Sequence, residues 1–269
     1  MMKPVLKYGG GKAREIKEFE RYIPKDYERY IEPFFGGGAV YFHLMPEQAI
    51  INDCNKKLMD FYIQLRDLYP IMSGQLETLQ SLYSDPTVRE ALYYDMRERF
   101  NYPDGAYLNS VVYYFINRTV YGGMTRYNKK NEFNVPFGWY ENFNTEIITE
   151  QHSIQLRKTV VLNTDYSNVF KLVKPDDFIF LDPPYDCAFN GYGNIDTNGF
   201  FENEHRKLAK DFTNLQCRAL MIVGKTELTQ ELYKDYICGE YNKKYSFNIR
   251  NRNNREMVHM IVKNYSLFI

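Results

Sequence analysis

The 269-residue chain is poor in cysteine and tryptophan, with four of the first and one of the second. Cys54, Cys187, Cys217 and Cys238 are scattered, with no CxxC spacing and no histidine pairing. That argues against a zinc site or a disulfide framework and fits a reducing cytosol. No stretch is apolar for long enough to span a bilayer, and the opening MMKPVLKYGGGK lacks the apolar centre of a signal peptide. A cytoplasmic protein with no membrane partner is the expectation. Charge of one sign is also missing: 34 basic residues balance 34 acidic ones, so global electrostatics name no partner. There is no internal repeat and no low-complexity tract.

Aromatics are abundant, with 25 tyrosines and 19 phenylalanines. Basic residues cluster at Lys129-Lys130, Lys243-Lys244 and Arg250/Arg252/Arg255, in Asn-rich surroundings that read as loops. Interleaved basic and aromatic residues suit a nucleic-acid surface, and they equally suit core and interface packing. Composition leaves the two open.

The order of elements is more informative. A glycine-rich stretch at 8–12 precedes a predicted helix over 13–21. A short strand over 29–32 runs into PFFGGG and a helical start at AVYFHL, and a second strand over 49–52 ends in Asp53. Strand, glycine turn, helix, strand and acid make a nucleotide-binding unit, in which the acid accepts from ribose hydroxyls. A tight turn with a capping aspartate is the plainer reading of the glycines alone. The pattern does not separate NAD from S-adenosylmethionine, although Phe34-Phe35 before the glycines departs from GxGxxG. KYGGGK is not a phosphate loop, because the GxxxxGK[ST] spacing and its hydroxyl are missing.

From about 58 to 158 helical patterns dominate, as in MDFYIQLRDLY, PTVREALYYDMRERF and LNSVVYYFINR, followed by a polar Gly/Asn-rich segment. Strand patterns return at 159–163, 178–181 and 218–223, and KKYSFNIRNRNNREMVHMIVKNY reads as two strands joined by a basic loop. An α/β fold follows: an open, mostly parallel sheet split by a helical insertion of about 100 residues, closed by an antiparallel pair.

Five segments in fixed order, KYGGGK, EPFFGGGAV, IINDCN, FNVPFG and LDPPY, resemble the Dam-like class (D12 class, alpha group) of DNA adenine-N6 methyltransferases. The resemblance covers about 6–265. It implies a seven-stranded Rossmann-like class I methyltransferase core, 1–57 with 159–269, and a helical target-recognition domain inserted at 58–158. S-adenosylmethionine is the implied cofactor, with S-adenosylhomocysteine as product and no metal. Double-stranded DNA is the implied partner of a monomeric enzyme; a cognate restriction endonuclease would act beside it without needing to bind it.

By the same resemblance, Tyr8 and Lys12 contact the methionine portion of the cofactor. Glu32, Phe34, Gly36 and Gly38 belong to its pocket, Asp53 takes the ribose, and Asp165-Tyr166 holds the adenine. Asp165 read from its neighbours alone is a loop or helix-capping aspartate. NRTVYGGMTRYNKKNEFNVPFG matches the recognition hairpin: Arg126 aligns with a guanine-reading arginine, Asn128, Asn134 and Pro136 with positions near the flipped base or backbone. Lys129 and Lys130 meet phosphates or simply solvate a turn. Gly122 replaces the usual asparagine and Trp139 a common basic residue, so GATC, a frequent target of the family, is not carried over securely.

FIFLDPPYD gives the chemistry. The lone pair of adenine N6 is delocalised into the ring and must be localised before it attacks a sulfonium methyl. Asp182 and the Pro183 carbonyl can accept the two N6 hydrogens, Pro183 and Pro184 stiffen the acceptors, and Tyr185 can stack on an extruded base. Asp182 also borders the cofactor. An amino-methyltransferase acting on RNA or on protein glutamine, or a DNA-binding relative without catalysis, are the alternatives.

Overall fold

The computed structural model describes residues 2–185, 200–244 and 256–266. Seven strands form one sheet: β1 Tyr30–Glu32, β2 Ala49–Asn52, β3 Thr159–Leu162, β4 Phe178–Leu181, β5 Arg218–Gly224, β6 Ile237–Lys244 and β7 Glu256–Lys263. Their order is β3-β2-β1-β4-β5-β7-β6. The first five pair in parallel, and β7 runs antiparallel to both β5 and β6. Every residue of β1, β2 and β4 is buried, as expected of parallel strands covered on both faces. This is the mixed α/β sheet expected from the sequence, with a Rossmann-like strand order.

The helices are α1 Ile16–Phe19, α2 Ala39–Leu44, α3 Lys56–Asp67, α4 Tyr69–Tyr83, α5 Arg89–Asn101, α6 Asn109–Thr119, α7 Glu150–Arg157, α8 Tyr166–Phe170, α9 Glu202–Thr213 and α10 Glu227–Tyr233. Helices α3 to α7 lie between β2 and β3 in the chain. One apolar cluster runs from Phe19 and Phe178 at the sheet through Phe35 and Phe42 to Phe61, Tyr114 and Phe137. The helical segment therefore packs as a continuation of one sheet face. The other face carries Ile31, Ile179 and Leu181 against Phe212 and Tyr233. Among the described residues no helix is long and apolar enough to cross a membrane.

Two local expectations need correction. The predicted helix over 13–21 is broken into a 3-10 turn Lys12–Arg14, the single turn α1, and a second 3-10 turn Glu20–Tyr22. Buried side chains at Lys12 and Glu15 are drawn inward from this segment, which a regular surface helix would not permit. The first C-terminal strand starts at Ile237, earlier than the pattern indicated. It is an edge strand paired only with β7, and a register shift between Ile237 and Gly239 breaks its alternation. Arg250, Arg252 and Arg255 lie outside the described residues.

The order of strands reverses between β1 and β4, and the carboxyl ends of parallel strands at such a switch point form a crevice. Asn52, 1% exposed at the end of β2, ties the crevice wall together. Its Nδ2 donates to the carbonyls of Pro33 and Thr164, both at 3.0 Å, and its Oδ1 accepts from the Thr164 amide at 2.9 Å. The loops after β1 and β3 are thus held by one buried amide. Asn52→Ala leaves those groups without partners and should cost about 1–3 kcal/mol, read as a lower urea midpoint at unchanged slope.

Candidate active site

Five residues, Phe34 to Gly38, make the turn after β1. Gly36 and Gly38 have φ of +49° and +66°, in the left-handed region that favours glycine. Space is equally restrictive: a Cβ at Gly36 would approach Tyr8 Cε1 to 2.7 Å, and one at Gly38 would approach Phe35 Cζ to 2.5 Å. Tyr8 therefore lies directly against the turn. Asp53, just past β2, closes it from the other side. Its Oδ2 accepts from the Gly36 amide and its Oδ1 from the Asn55 amide, each at 2.9 Å. Burial pushes the Asp53 carboxyl above its ordinary range, against the pull of these amides.

At the neighbouring strand end, Asp182 follows β4. Lys12 Nζ donates to Asp182 Oδ2 at 2.7 Å and to the Gly10 carbonyl at 2.9 Å. The Tyr185 hydroxyl donates to Asp182 Oδ1 at 3.2 Å, and the Lys12 ammonium lies 5.1 Å from the centre of the Tyr185 ring. Burial raises the Asp182 carboxyl's proton affinity and the Lys12 charge opposes it. Glu32, at the end of β1, accepts from the Tyr30 hydroxyl at 2.8 Å. Its carboxyl is pushed well above the usual range by burial, with the Tyr30 bond opposing and the Asp182 charge adding to the rise.

An aromatic wall flanks the turn. Phe34 meets Tyr166 at 5.3 Å between ring centres and Phe200 at 5.9 Å, nearly perpendicular. Tyr166 is anchored to α9, donating to Asp211 Oδ2 at 2.9 Å and accepting from Lys207 Nζ at 3.0 Å. Asp165 caps α8, its Oδ1 accepting from the Ser167 amide at 2.9 Å and from the Ser167 hydroxyl.

The polar segment after α6 forms a separate constellation. Gly122 has φ +60° in the turn that follows the helix. Asparagine also tolerates that conformation, so glycine here keeps the backbone path while removing a side chain. Arg126 is exposed, and its Nε and Nη2 donate to the side-chain and main-chain oxygens of Asn134 at 2.8 and 3.0 Å. Asn128 is committed to the hairpin tip: Oδ1 accepts from the amides of Lys130 and Glu132 at 2.8 and 3.0 Å, and Nδ2 donates to Glu132 at 2.7 Å.

Lys129 and Lys130 are exposed at the tip, and Pro136 is exposed beyond it, its carbonyl accepting from the Tyr121 amide at 3.0 Å. Trp139 is 69% exposed at φ +56°, its ring 5.2 Å from Phe137. Asn101, ending α5, clamps the hairpin by bonding both main-chain groups of Phe133, at 2.7 and 3.1 Å. Asn117 of α6 does the same to Lys7, at 2.8 and 2.7 Å, next to Tyr8 of the glycine-turn site.

Comparison with known families bears on this arrangement. Residues 8–256 match the model of the D12 class N6 adenine-specific DNA methyltransferases. The chain belongs to that family. It is 36% identical to type II methyltransferase M.CviBI of Paramecium bursaria Chlorella virus NC1A over 98% of this chain and 100% of that one. Type II methyltransferase M.MjaIII of Methanocaldococcus jannaschii is 33% identical over 82% of this chain and 83% of its own. DNA adenine methylase of Haemophilus influenzae is 29% identical over 86% and 82%. The Dam-like resemblance read from the five sequence segments is therefore correct, and the protein is a DNA adenine methyltransferase.

In this methyltransferase, the residues singled out from sequence fall into adjoining and separate groups. Tyr8, Gly36, Gly38 and Asp53 surround the turn; Lys12 and Tyr185 meet Asp182, with Glu32 close enough to feel its charge; Phe34 packs on Tyr166. Asp165 sits at the start of α8, and the hairpin residues bond among themselves. Pro183 is buried and Pro184 half-buried at the exit from β4.

Sequence reasoning missed Phe200 and a charged cluster around Glu15. Glu15 Oε2 accepts from Tyr241 at 2.8 Å and lies 2.8 Å from His259 Nδ1, and Oε1 pairs with Lys243 Nζ. Two signals were present: Glu15 is three residues from Lys12 on a helical turn, and His259 interrupts the otherwise apolar MVHMIV.

Burial alone would raise the Glu15 carboxyl, but His259, Lys12, Lys243 and Tyr241 together bring it down from 4.5 to about 2. Its stabilising contribution is therefore complete above pH 4.5 and is lost as pH falls toward 2. Urea unfolding followed across that window should show stability falling more steeply on acidification in the wild type than in Glu15→Gln. Parallel curves would refute this.

Proposed function

We propose that this enzyme methylates N6 of an adenine extruded from double-stranded DNA at a specific site, with Asp182 as the acceptor that activates the amine. The observation that carries the reading is the Asp182 carboxylate at the end of β4, fixed by Lys12 and Tyr185 beside the glycine turn. N6 is out of reach inside a stacked duplex, so the base must leave the helix.

Asp182 and the Pro183 carbonyl accept the two N6 hydrogens, which draws the nitrogen lone pair out of conjugation and stabilises the charge that develops there. The consecutive prolines hold these acceptors with little backbone freedom, so orientation is established before the reaction. Tyr185 offers a ring for the extruded base. Once N6 has gained a methyl it carries one proton too many, and Asp182, whose proton affinity is raised by burial, is suited to receive it before solvent does.

S-adenosylmethionine, the methyl donor implied by the family, supplies an electrophilic methyl when bound. The donor set suits a nucleoside sulfonium: the left-handed glycine turn with Tyr8 against it, the Asp53 carboxylate for ribose hydroxyls, and the faces of Phe34 and Tyr166 for an adenine. Tyr8 and Lys12 belong to the same pocket, with Glu32 beneath it. Asp165 is assigned to the adenine end, with its Oδ1 already engaged in capping α8.

For recognition we assign the segment 58–158, with Arg126 as the base reader and Lys129 and Lys130 as phosphate contacts. Asn134 holds the Arg126 guanidinium, while Asn128 and Pro136 shape the hairpin around it. The enzyme is proposed to act as a cytoplasmic monomer; a companion endonuclease, where there is one, need not bind it.

Asp182→Ala should lower methyl transfer by roughly a hundredfold to a thousandfold while the protein still folds. Labelled methyl transfer to plasmid DNA with circular dichroism tests this, and near-normal turnover would reject the acceptor role. Arg126→Ala should lose about 1–3 kcal/mol of discrimination at one base pair. Sequencing of modified bases, comparing variant with wild type, reads that loss, and an unchanged site preference would remove Arg126 from the reading.

A further inference from the structure

The chemistry above employs Asp182, Lys12 and Tyr185 and leaves unused the buried polar groups behind them. Glu15 and His259 have 5% and 1% of their side chains exposed. A carboxylate so deep is tolerated only with several donors, and His259, Tyr241 and Lys243 converge on it. His259 has a second contact: its ring meets the edge of Tyr185 with centres 5.0 Å apart and planes at 70°. The Tyr241 hydroxyl also lies 3.2 Å from His259 Nδ1. One cluster therefore touches the base-facing tyrosine through His259.

Tyr185 in turn donates its hydroxyl to Asp182 Oδ1 at 3.2 Å, so Glu15, His259, Tyr185 and Asp182 form one chain of contacts. With Glu15 made neutral, the His259 ring loses the carboxylate that holds it against Tyr185.

We propose that Glu15 is a positioning residue that holds the His259 ring, and that His259 seats the Tyr185 ring and with it the hydroxyl that meets Asp182. The proposal rests on the roles given above to Asp182 and Tyr185. The cluster acts by aiming the Tyr185 hydroxyl at the acceptor, and by holding the ring on which the extruded base rests.

The test uses the full-length enzyme and a duplex carrying the site that the wild type modifies in plasmid DNA. Single-turnover transfer from labelled S-adenosylmethionine is measured with the dissociation constants of duplex and cofactor. Glu15→Gln should slow transfer by about tenfold or more. Both dissociation constants should stay within about twofold, the split expected when orientation and not binding is lost. With 2-aminopurine at the target position, His259→Gln should change the emission of the bound duplex, and unchanged emission rejects the part assigned to His259.

Transfer by Glu15→Gln near the wild-type rate, or slowed only in proportion to weakened binding, overturns the proposal. Should Glu15→Gln not fold, Glu15→Gln/Lys243→Gln, which removes the charge facing the neutral side chain, takes its place under the same criteria. Asp182→Asn is run alongside: full activity there defeats the acceptor reading itself, a different failure from that of Glu15.

Discussion

A carboxylate with most of its side chain inside the protein must be paired to stay charged, and the architecture around Asp182 follows from that need. The strand that delivers it is apolar and buried on every residue, so the acid emerges at the edge of the core. Its counter-ion comes from a segment 170 residues earlier, through Lys12. That segment cannot be a regular surface helix, because two of its charged side chains, Lys12 and Glu15, have to point inward. The broken helical turns near the N-terminus are the visible result.

The same economy of buried polar groups shapes the other wall of the crevice. Asn52 satisfies main-chain groups from two loops, and Asp53 next to it closes on the Gly36 amide, so a strand, a turn and a following loop are fixed by adjacent residues. Tyr8 then fills the space that the absent glycine side chains leave. Rigid placement at the crevice thus comes from amides and carboxylates already satisfied by the protein. The hairpin repeats the pattern outside the core, where Asn134 holds Arg126 and Asn101 holds the strand that carries Asn134.

Much of this was legible in the sequence because it depends on local signals. The apolar runs AII and FIFL announce parallel strands, and GGG after a strand announces a turn with left-handed backbone. DPPY announces a stiff strand exit, and five motifs in order brought the family. What stayed hidden depends on pairing between distant positions. Glu15 reads as a surface acid until β6 and β7 are laid beside it, and Phe200 has no periodic pattern around it. The start of β6 was misjudged for a related reason: an edge strand is buried on one side only and bulges at Gly239, so its alternation is weak. Asp165 shows the converse, since its capping role was readable from the Tyr-Ser-Asn that follows.

The insertion of β7 between β5 and β6 has a consequence for biosynthesis. A chain leaving the ribosome completes its glycine turn early, but Glu15 meets Tyr241 and Lys243 only across 226 and 228 positions. Long-range antiparallel closure of this kind is slow compared with local helix formation. The strand that bears His259 also has to slide between two others, so the charge cluster closes only when nearly all of the described chain is available. A nascent chain holding the glycine turn and the DPPY strand would still lack the footing behind Tyr185. Its competence to modify DNA would then arrive late, as a property of the finished sheet and not of any motif within it.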